Sequence, residues 1–167
     1  MGRYPYSDRL TVEACKSVSI SYLKKEGYLD GGIWKVAMDW SRRGKPTGGI
    51  DMIISTQKDD ANIRFLYTHR TRRTPTQPTE LDYTVPLVST PCHFGGLRWW
   101  MRCPIEINGH LCNRRVAVLY LARGPYFGCR ICHNLTYESS QESHKFDRLF
   151  RQLGITPQQA KYIFERN

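Results

Sequence analysis

The chain has no apolar run near the roughly 18 residues that a membrane-spanning helix needs. Its opening, "MGRYPYSDRL", has no apolar segment of the kind a secretory signal carries. Met1-Gly2 begins like a myristoylation site, but Tyr6 stands where that motif has Ser or Thr. These absences predict a cytoplasmic protein with no membrane partner, in a reducing compartment where stable disulfides are rare. Internal repeats and low-complexity tracts are also missing. Acids are in short supply, with 15 Asp plus Glu against 25 Lys plus Arg. Those present, Glu13, Asp30 and Asp51 among them, form no paired motif for general acid and base work. Hydrophobic residues make up 40% of 167. A core can form, but each half alone is close to the size at which a metal or disulfide helps.

What the chain does contain is cysteine and arginine. The net charge is +10 and the pI is near 9.5, a field that attracts polyanions, nucleic acid first among them.

Local patterning predicts an α+β fold. Residues 11–29 look helical, with Thr11 as N-cap, Glu13 in the first turn, Lys24 and Lys25 in the last and Gly27 at C′. β-Branched residues and serines at 17–21 weaken the middle, so one helix or two short ones are expected. "IWKVAMDW" alternates, placing Trp34, Val36, Met38 and Trp40 on one face of a strand. A turn at 42–49 and strands at 50–56, 63–69 and 81–89 then suggest an antiparallel meander. Pro86 points to an edge position for the last of these. Further strands are expected in "GLRWWMRCP", "RRVAVLYLA" and "PYFGC". Ser139 and Glu142 form a capping box. Phe146, Leu149, Phe150 and Leu153 follow at helical spacing, and Thr156-Pro157 opens a second short helix. The expected organisation is 1–90 (helix plus sheet), 91–137 (cysteine region) and 138–167 (C-terminal helices), packed together.

Four of the six cysteines lie between 103 and 132, in the pairs 103/112 and 129/132. Cys129-Arg-Ile-Cys132 has the C-x₂-C spacing with which one tight turn aims two thiolates at one ion. Sixteen residues separate it from Cys112, enough for two short strands. The first pair departs from the pattern, with eight residues between Cys103 and Cys112. "PIEINGHL" contains Asn108-Gly109, a strong hairpin turn that can return the chain to Cys103. The reading is a zinc ribbon holding structural Zn²⁺ through Cys103, Cys112, Cys129 and Cys132, with His110 or His133 as possible substitutes for one cysteine. Four cysteines close the shell, whereas a catalytic zinc keeps one position open. The H-x-E and P-C-x-x-C signature of a deaminase is absent. No βαβ pattern surrounds Cys129-x-x-Cys132, which disfavours redox catalysis. Cys15 reads as a small core residue. Cys92 beside His93 reads as a tight crossing rather than a nucleophile.

Basic residues cluster three times: Arg42, Arg43 and Lys45; Arg70, Arg72 and Arg73; and, around the cysteines, Arg98, Arg102, Arg114, Arg115, Arg123 and Arg130. Arginine meets phosphate bidentately, so these are the candidate nucleic-acid contacts. The neighbouring Trp99, Trp100, Tyr120, Tyr126 and Phe127 are expected mainly in the small core of the ribbon.

"PCHFGGLRWWMRCP", "CNRRVAVLYL", "YFGCRICHNLTY" and "SSQESHKFDRL" resemble a family of small bacterial proteins found among phage and mobile-element genes. The resemblance covers most of the chain. It implies a zinc ribbon on the same four cysteines and brings no activity with it. The function expected is therefore a non-enzymatic, zinc-stabilised DNA- or RNA-binding protein. The alternative is a module that docks on and modulates a larger host nucleoprotein or defence complex. A hydrolase ranks third.

Overall fold

Strand formation dominates wherever β-branched and aromatic residues alternate with polar ones. The computed structural model describes residues 9–57, 60–70, 78–122 and 124–142, with Gln152 and Gly154. The chain gathers into two units, Cys15–His133 and a second built from Met1–Ala14 with Asn134–Asn167.

In chain order, a 3₁₀ turn (Val12–Ala14) precedes β1 (Lys16–Ser19), α1 (Ile20–Lys25), β2 (Ile33–Arg42), β3 (Lys45–Ser55), β4 (Asn62–His69) and β5 (Thr79–Pro91). Then come β6 (Leu97–Arg102), β7 (Glu106–Ile107), β8 (His110–Leu111), β9 (Arg115–Val116), β10 (Val118–Leu121) and α2 (Glu138–Glu142). The main sheet is antiparallel in the order β2-β3-β4-β5-β6-β9. β1 pairs with β10, and β7 with β8.

The expected α+β class is thus corrected: the protein is mostly β, 52% strand and 10% helical. The N-terminal helix fails where its sequence was weakest. Lys16–Ser19 pairs in register with Val118–Leu121, so the β-branched and serine stretch becomes a strand. The helix begins only at Ile20, capped by Ser19 Oγ, which accepts from the Tyr22 amide at 3.2 Å. Its end is as expected. Gly27 (φ 78°) turns the chain, Gly27 N–H donates to Lys24 O and Tyr28 N–H to Leu23 O, the two bonds of a Schellman stop. Of the C-terminal helices, the described residues contain α2, which starts at Glu138 rather than after Ser139. Its first amide is met by the Glu13 carboxylate at 3.1 Å. Phe146, Leu149, Phe150, Leu153 and the segment from Thr156 lie outside the described residues.

Two strand details also differ. The turn expected over 42–49 shrinks to Arg43-Gly44, both at positive φ (51° and 74°), as a two-residue hairpin requires. Pro86 lies in an interior strand instead of an edge. β5 pairs with β4 through Asn62↔Pro86 and with β6 from Leu87↔Met101 onward. Proline sits at the handover, where its missing N–H removes no bond from the β6 ladder.

One sheet face is buried. Val36, Ile50, Met52, Ile54, Ile63, Phe65, Val85, Leu87 and Met101 pack with Val18, Leu23, Leu119 and Phe127. A polar chain fixes the Phe127 segment to this face. The Phe127 amide donates to Tyr83 Oη at 2.9 Å, the Tyr83 and Tyr67 hydroxyls lie 3.2 Å apart, and Tyr67 donates to Pro125 O. Burial pushes the Tyr67 phenol up to about 12 and that of Tyr83 further. Replacing Tyr83 with Phe strands a partly buried amide. The expected cost is about 1–3 kcal/mol, read as a lower urea midpoint at unchanged slope.

Candidate metal centre

The centre is assembled by backbone pairing at the end of the sheet. β6 runs directly into Cys103, whose amide donates to Arg114 O at 3.0 Å. Asn113 N–H returns a bond to Cys103 O at 3.1 Å. Between them β7 and β8 form the hairpin that Asn108-Gly109 predicted, with φ values of 53° and 78°. Cys112 N–H then closes on Ile105 O at 2.9 Å. The eight-residue insertion therefore brings both cysteines of the first pair to one place.

The second pair is set by Gly128, which exchanges two hydrogen bonds with Tyr120 at 2.8 and 2.9 Å. This bridge stands where a full strand over "PYFGC" was expected. A Cβ on Gly128 would come within 2.4 Å of Ile105 Cγ1 and 2.9 Å of His133 Nε2, so only glycine permits the close approach of the two pairs. Cys129 N–H points at Cys103 Sγ (3.2 Å) and Cys132 N–H at Cys129 Sγ (3.4 Å).

All four sulfurs lie within 4.8 Å of one another. Cys103 Sγ and Cys132 Sγ are 3.8 Å apart, and Cys112 Sγ and Cys129 Sγ 3.9 Å. A disulfide needs about 2.05 Å, which excludes both bridges. A tetrahedral ion with metal–sulfur bonds of about 2.3 Å has sulfur–sulfur edges of about 3.8 Å, so the donor set fits one divalent ion. Cys103 and Cys129 are buried, while Cys112 and Cys132 are partly exposed. Burial pushes the Cys103 thiol up to about 11. Burial and the neighbouring thiols push Cys132 higher. At Cys129 burial opposes ionisation too, but backbone and thiol donors, led by Cys132, outweigh it and the net shift is downward. Four thiols this close cannot all ionise without a cation among them, and a bound dication would expel their protons.

Neither His110 nor His133 joins the sulfur group. Burial lowers the His133 pKa, and its Nε2 has no hydrogen-bond partner among the described residues. Cys15 follows the 3₁₀ turn rather than lying on a helix face, and Cys92 is exposed in the β5–β6 loop. The His93 ring is 5.0 Å from that of Phe94. Among the described residues no helix is long and apolar enough to cross a membrane.

The basic residues separate. Arg42, Arg43 and Lys45 are exposed at the tip of the β2–β3 hairpin, and Arg70 is exposed just past β4. Arg72, Arg73 and Arg123 lie outside the described residues. Arg98, Arg102 and Arg115 share the outer face of β6 and β9, with Arg102 directly opposite Arg115. Arg102 Nη1 donates to Asn113 O at 2.9 Å, and Arg114 is exposed beside it. Arg130 is in the second cysteine turn.

Sequence reasoning placed the aromatics mainly inside, and Trp99 and Phe127 do pack with the core. Trp100, one residue out of phase with Trp99, falls on the outer face. Its ring lies under the Arg98 guanidinium at 4.3 Å, and its Nε1 donates to Thr90 Oγ1 at 3.2 Å. Strand alternation along "LRWWMR" carried that signal, given the phase set by buried Met101.

No family model, curated protein or solved structure matches the chain. What defines it is a mostly β unit with a four-cysteine cluster suited to a metal ion.

Proposed function

We propose that the four cysteines hold one structural zinc ion and that the protein binds nucleic acid, without catalysis, through the basic end of its sheet. Zinc suits an all-thiolate tetrahedron better than the hard oxygen-seeking cations, and a closed shell leaves no position for substrate.

The observation behind the binding half is an acid-free basic end on the outer sheet face, the rest of which mixes Lys35 and Arg64 with its acids. Strand register places Asp39, Asp51, Asp82 and Glu80 among the outward residues of β2, β3 and β5. The outward residues of β6 and β9 are Arg98, Trp100, Arg102 and Arg115, with no acid among them. Like charges directly opposite each other disfavour strand pairing, and Arg102 and Arg115 are held so beside the cysteine pair. Zinc in four thiolates carries a double negative charge, which offsets part of this field. Arg98, stacked on Trp100, remains for an external anion. The ion pair found among the described residues, Arg64–Asp82, lies elsewhere on the sheet.

Binding should weaken steeply with salt, log K falling with a slope of about −0.9 per phosphate contacted on duplex and about −0.7 on single strands. Fluorescence anisotropy with labelled DNA measures it. Joint replacement of Arg102 and Arg115 by Ala should flatten the slope by about two contacts. Affinity insensitive to salt in the parent protein would rule the reading out.

A second reading is docking on a larger protein complex, such as a host nucleoprotein or defence assembly. It draws on Ile107 and Leu111, which are 48% and 60% exposed on the β7–β8 hairpin. A stoichiometric protein partner that survives nuclease treatment would favour it.

A further inference from the structure

We infer that the β5–β6 hairpin is a base-stacking site and that the nucleic acid taken by this face is single-stranded. The inference rests on the nucleic-acid reading above and narrows it. Its ground is the arrangement of aromatic groups, which phosphate binding alone does not require.

The hairpin carries two stacking elements. The first is Arg98 over Trp100, with the guanidinium 4.3 Å from the ring centroid. Arg98 Cζ lies over the indole ring and Arg98 is exposed, so its guanidinium is open to a base approaching from solvent. Trp100 is held by its bond to Thr90 Oγ1, and Thr90 stands opposite Arg98 across the strand pair. A guanidinium so placed presents a cationic, flat surface to any of the four bases.

The second element is Phe94, 98% exposed at the hairpin tip. Its loop is not loose. Gly95 N–H donates to Cys92 O and Cys92 N–H to Gly96 O, both at 3.1 Å, and Gly95 and Gly96 adopt φ values of 85° and 80°. A phenyl ring on a hydrogen-bonded turn, contacting only the His93 ring among described aromatic pairs, adds nothing to the core. Leu97, at the base of the loop, is 51% exposed and widens the apolar tip.

Together these give a short strip on which bases can lie, flanked by Arg102 and Arg115 for the phosphates. In a duplex the base faces are covered by their neighbours. Only unpaired bases offer them to Arg98 and Phe94. Stacking is tolerant of sequence, so the expected ligand is a class, single-stranded DNA or RNA, rather than one motif.

The test uses the full-length, metal-loaded protein with a fluorescein-labelled mixed-sequence DNA strand, alone and annealed to its complement, across a salt series. The single strand should bind more tightly than the duplex at every salt. Phe94→Ala removes no charge and almost no buried surface. It should weaken single-strand binding about 5- to 150-fold, the range for one stacked base, and leave the salt slope unchanged. Arg98→Lys keeps the charge and loses the plane, and should weaken single-strand binding with its slope preserved. Duplex preferred to single strand, or single-strand affinity unmoved in both variants, overturns the stacking site while the phosphate reading stands. Absence of salt-dependent binding to either probe overturns both.

Discussion

Removing the metal is expected to unfold the cysteine region and take the β6–β9 edge of the sheet with it. Purified without chelator, the protein should carry one zinc per chain by elemental analysis. A strong chelator should then sharply reduce the near-ultraviolet circular dichroism of the tryptophans and tyrosines. The size of the effect follows from what else holds this region. β7, β8 and β9 are two-residue strands, and Glu106, Ile107, His110 and Leu111 are all exposed, so burial contributes little there. Structural zinc contributes about 10–16 kcal/mol in small finger peptides, against a total stability of about 5–15 kcal/mol for an ordinary domain. Cys129→Ser should reproduce the chelator result, because Cys129 is buried and its sulfur also accepts the Cys132 amide. Cys92→Ser, at an exposed cysteine outside the cluster, should leave metal content and fold unchanged. Acid should release the metal too, since protons compete for the thiolates. Cobalt(II) should restore structure and show the intense visible absorption of a tetrahedral thiolate site. Metal-free protein with full near-ultraviolet dichroism would overturn this account.

The cluster was legible in the sequence because its signals are local. Cys129-x-x-Cys132 specifies a turn by spacing alone, and Asn108-Gly109 specifies the hairpin that returns Cys112 to Cys103. The meander was legible for the same reason, since alternation at 33–40 and 63–69 fixes both strand and face. What failed depended on partners far along the chain. Residues 16–19 lie in the weak middle of a segment whose capping signals are at its ends, and nothing within them announces that Val118–Leu121 will pair alongside. Pro86 reads as an edge residue until β5 is seen to change partners there. "GKPTGG" reads as loop, yet Lys45–Gly49 extends β3 because β2 offers a matching edge, with a register shift at Trp40/Ser41. Trp99 and Trp100 are chemically identical in the sequence. Their opposite fates follow from which side of β6 meets the core, and buried Met101 decides that phase. Gly128 gave no signal as an isolated glycine; its necessity appears only when Ile105 and His133 are placed around it.

Phe127→Ala should be the most damaging single substitution away from the sulfurs, at about 3–5 kcal/mol. Phe127 is 0% exposed. Its ring lies 5.2 Å from Phe65, 5.6 Å from Tyr67 and 6.1 Å from Trp40, so β4 and β2 meet the cysteine region at this side chain. The rings around the vacated space cannot close it without leaving their own packing, so a cavity penalty adds to the lost transfer energy. The damage should also reach the metal. Phe127 precedes Gly128 and Cys129, and its amide is anchored by Tyr83, so loosening it releases the segment that aims Cys129 at Cys103. Urea unfolding of the metal-loaded protein gives the stability loss, and competition with a chromogenic chelator gives the change in metal affinity. Both should fall together. Tyr126→Ala, at a neighbouring ring that is 46% exposed, should cost far less and leave metal affinity unchanged. A Phe127→Ala variant that loses stability but holds its metal as tightly as the parent would show that the sheet and the centre fold independently. In that case the zinc would organise only its own loops, and the spacing of Arg102 and Arg115 would owe nothing to it.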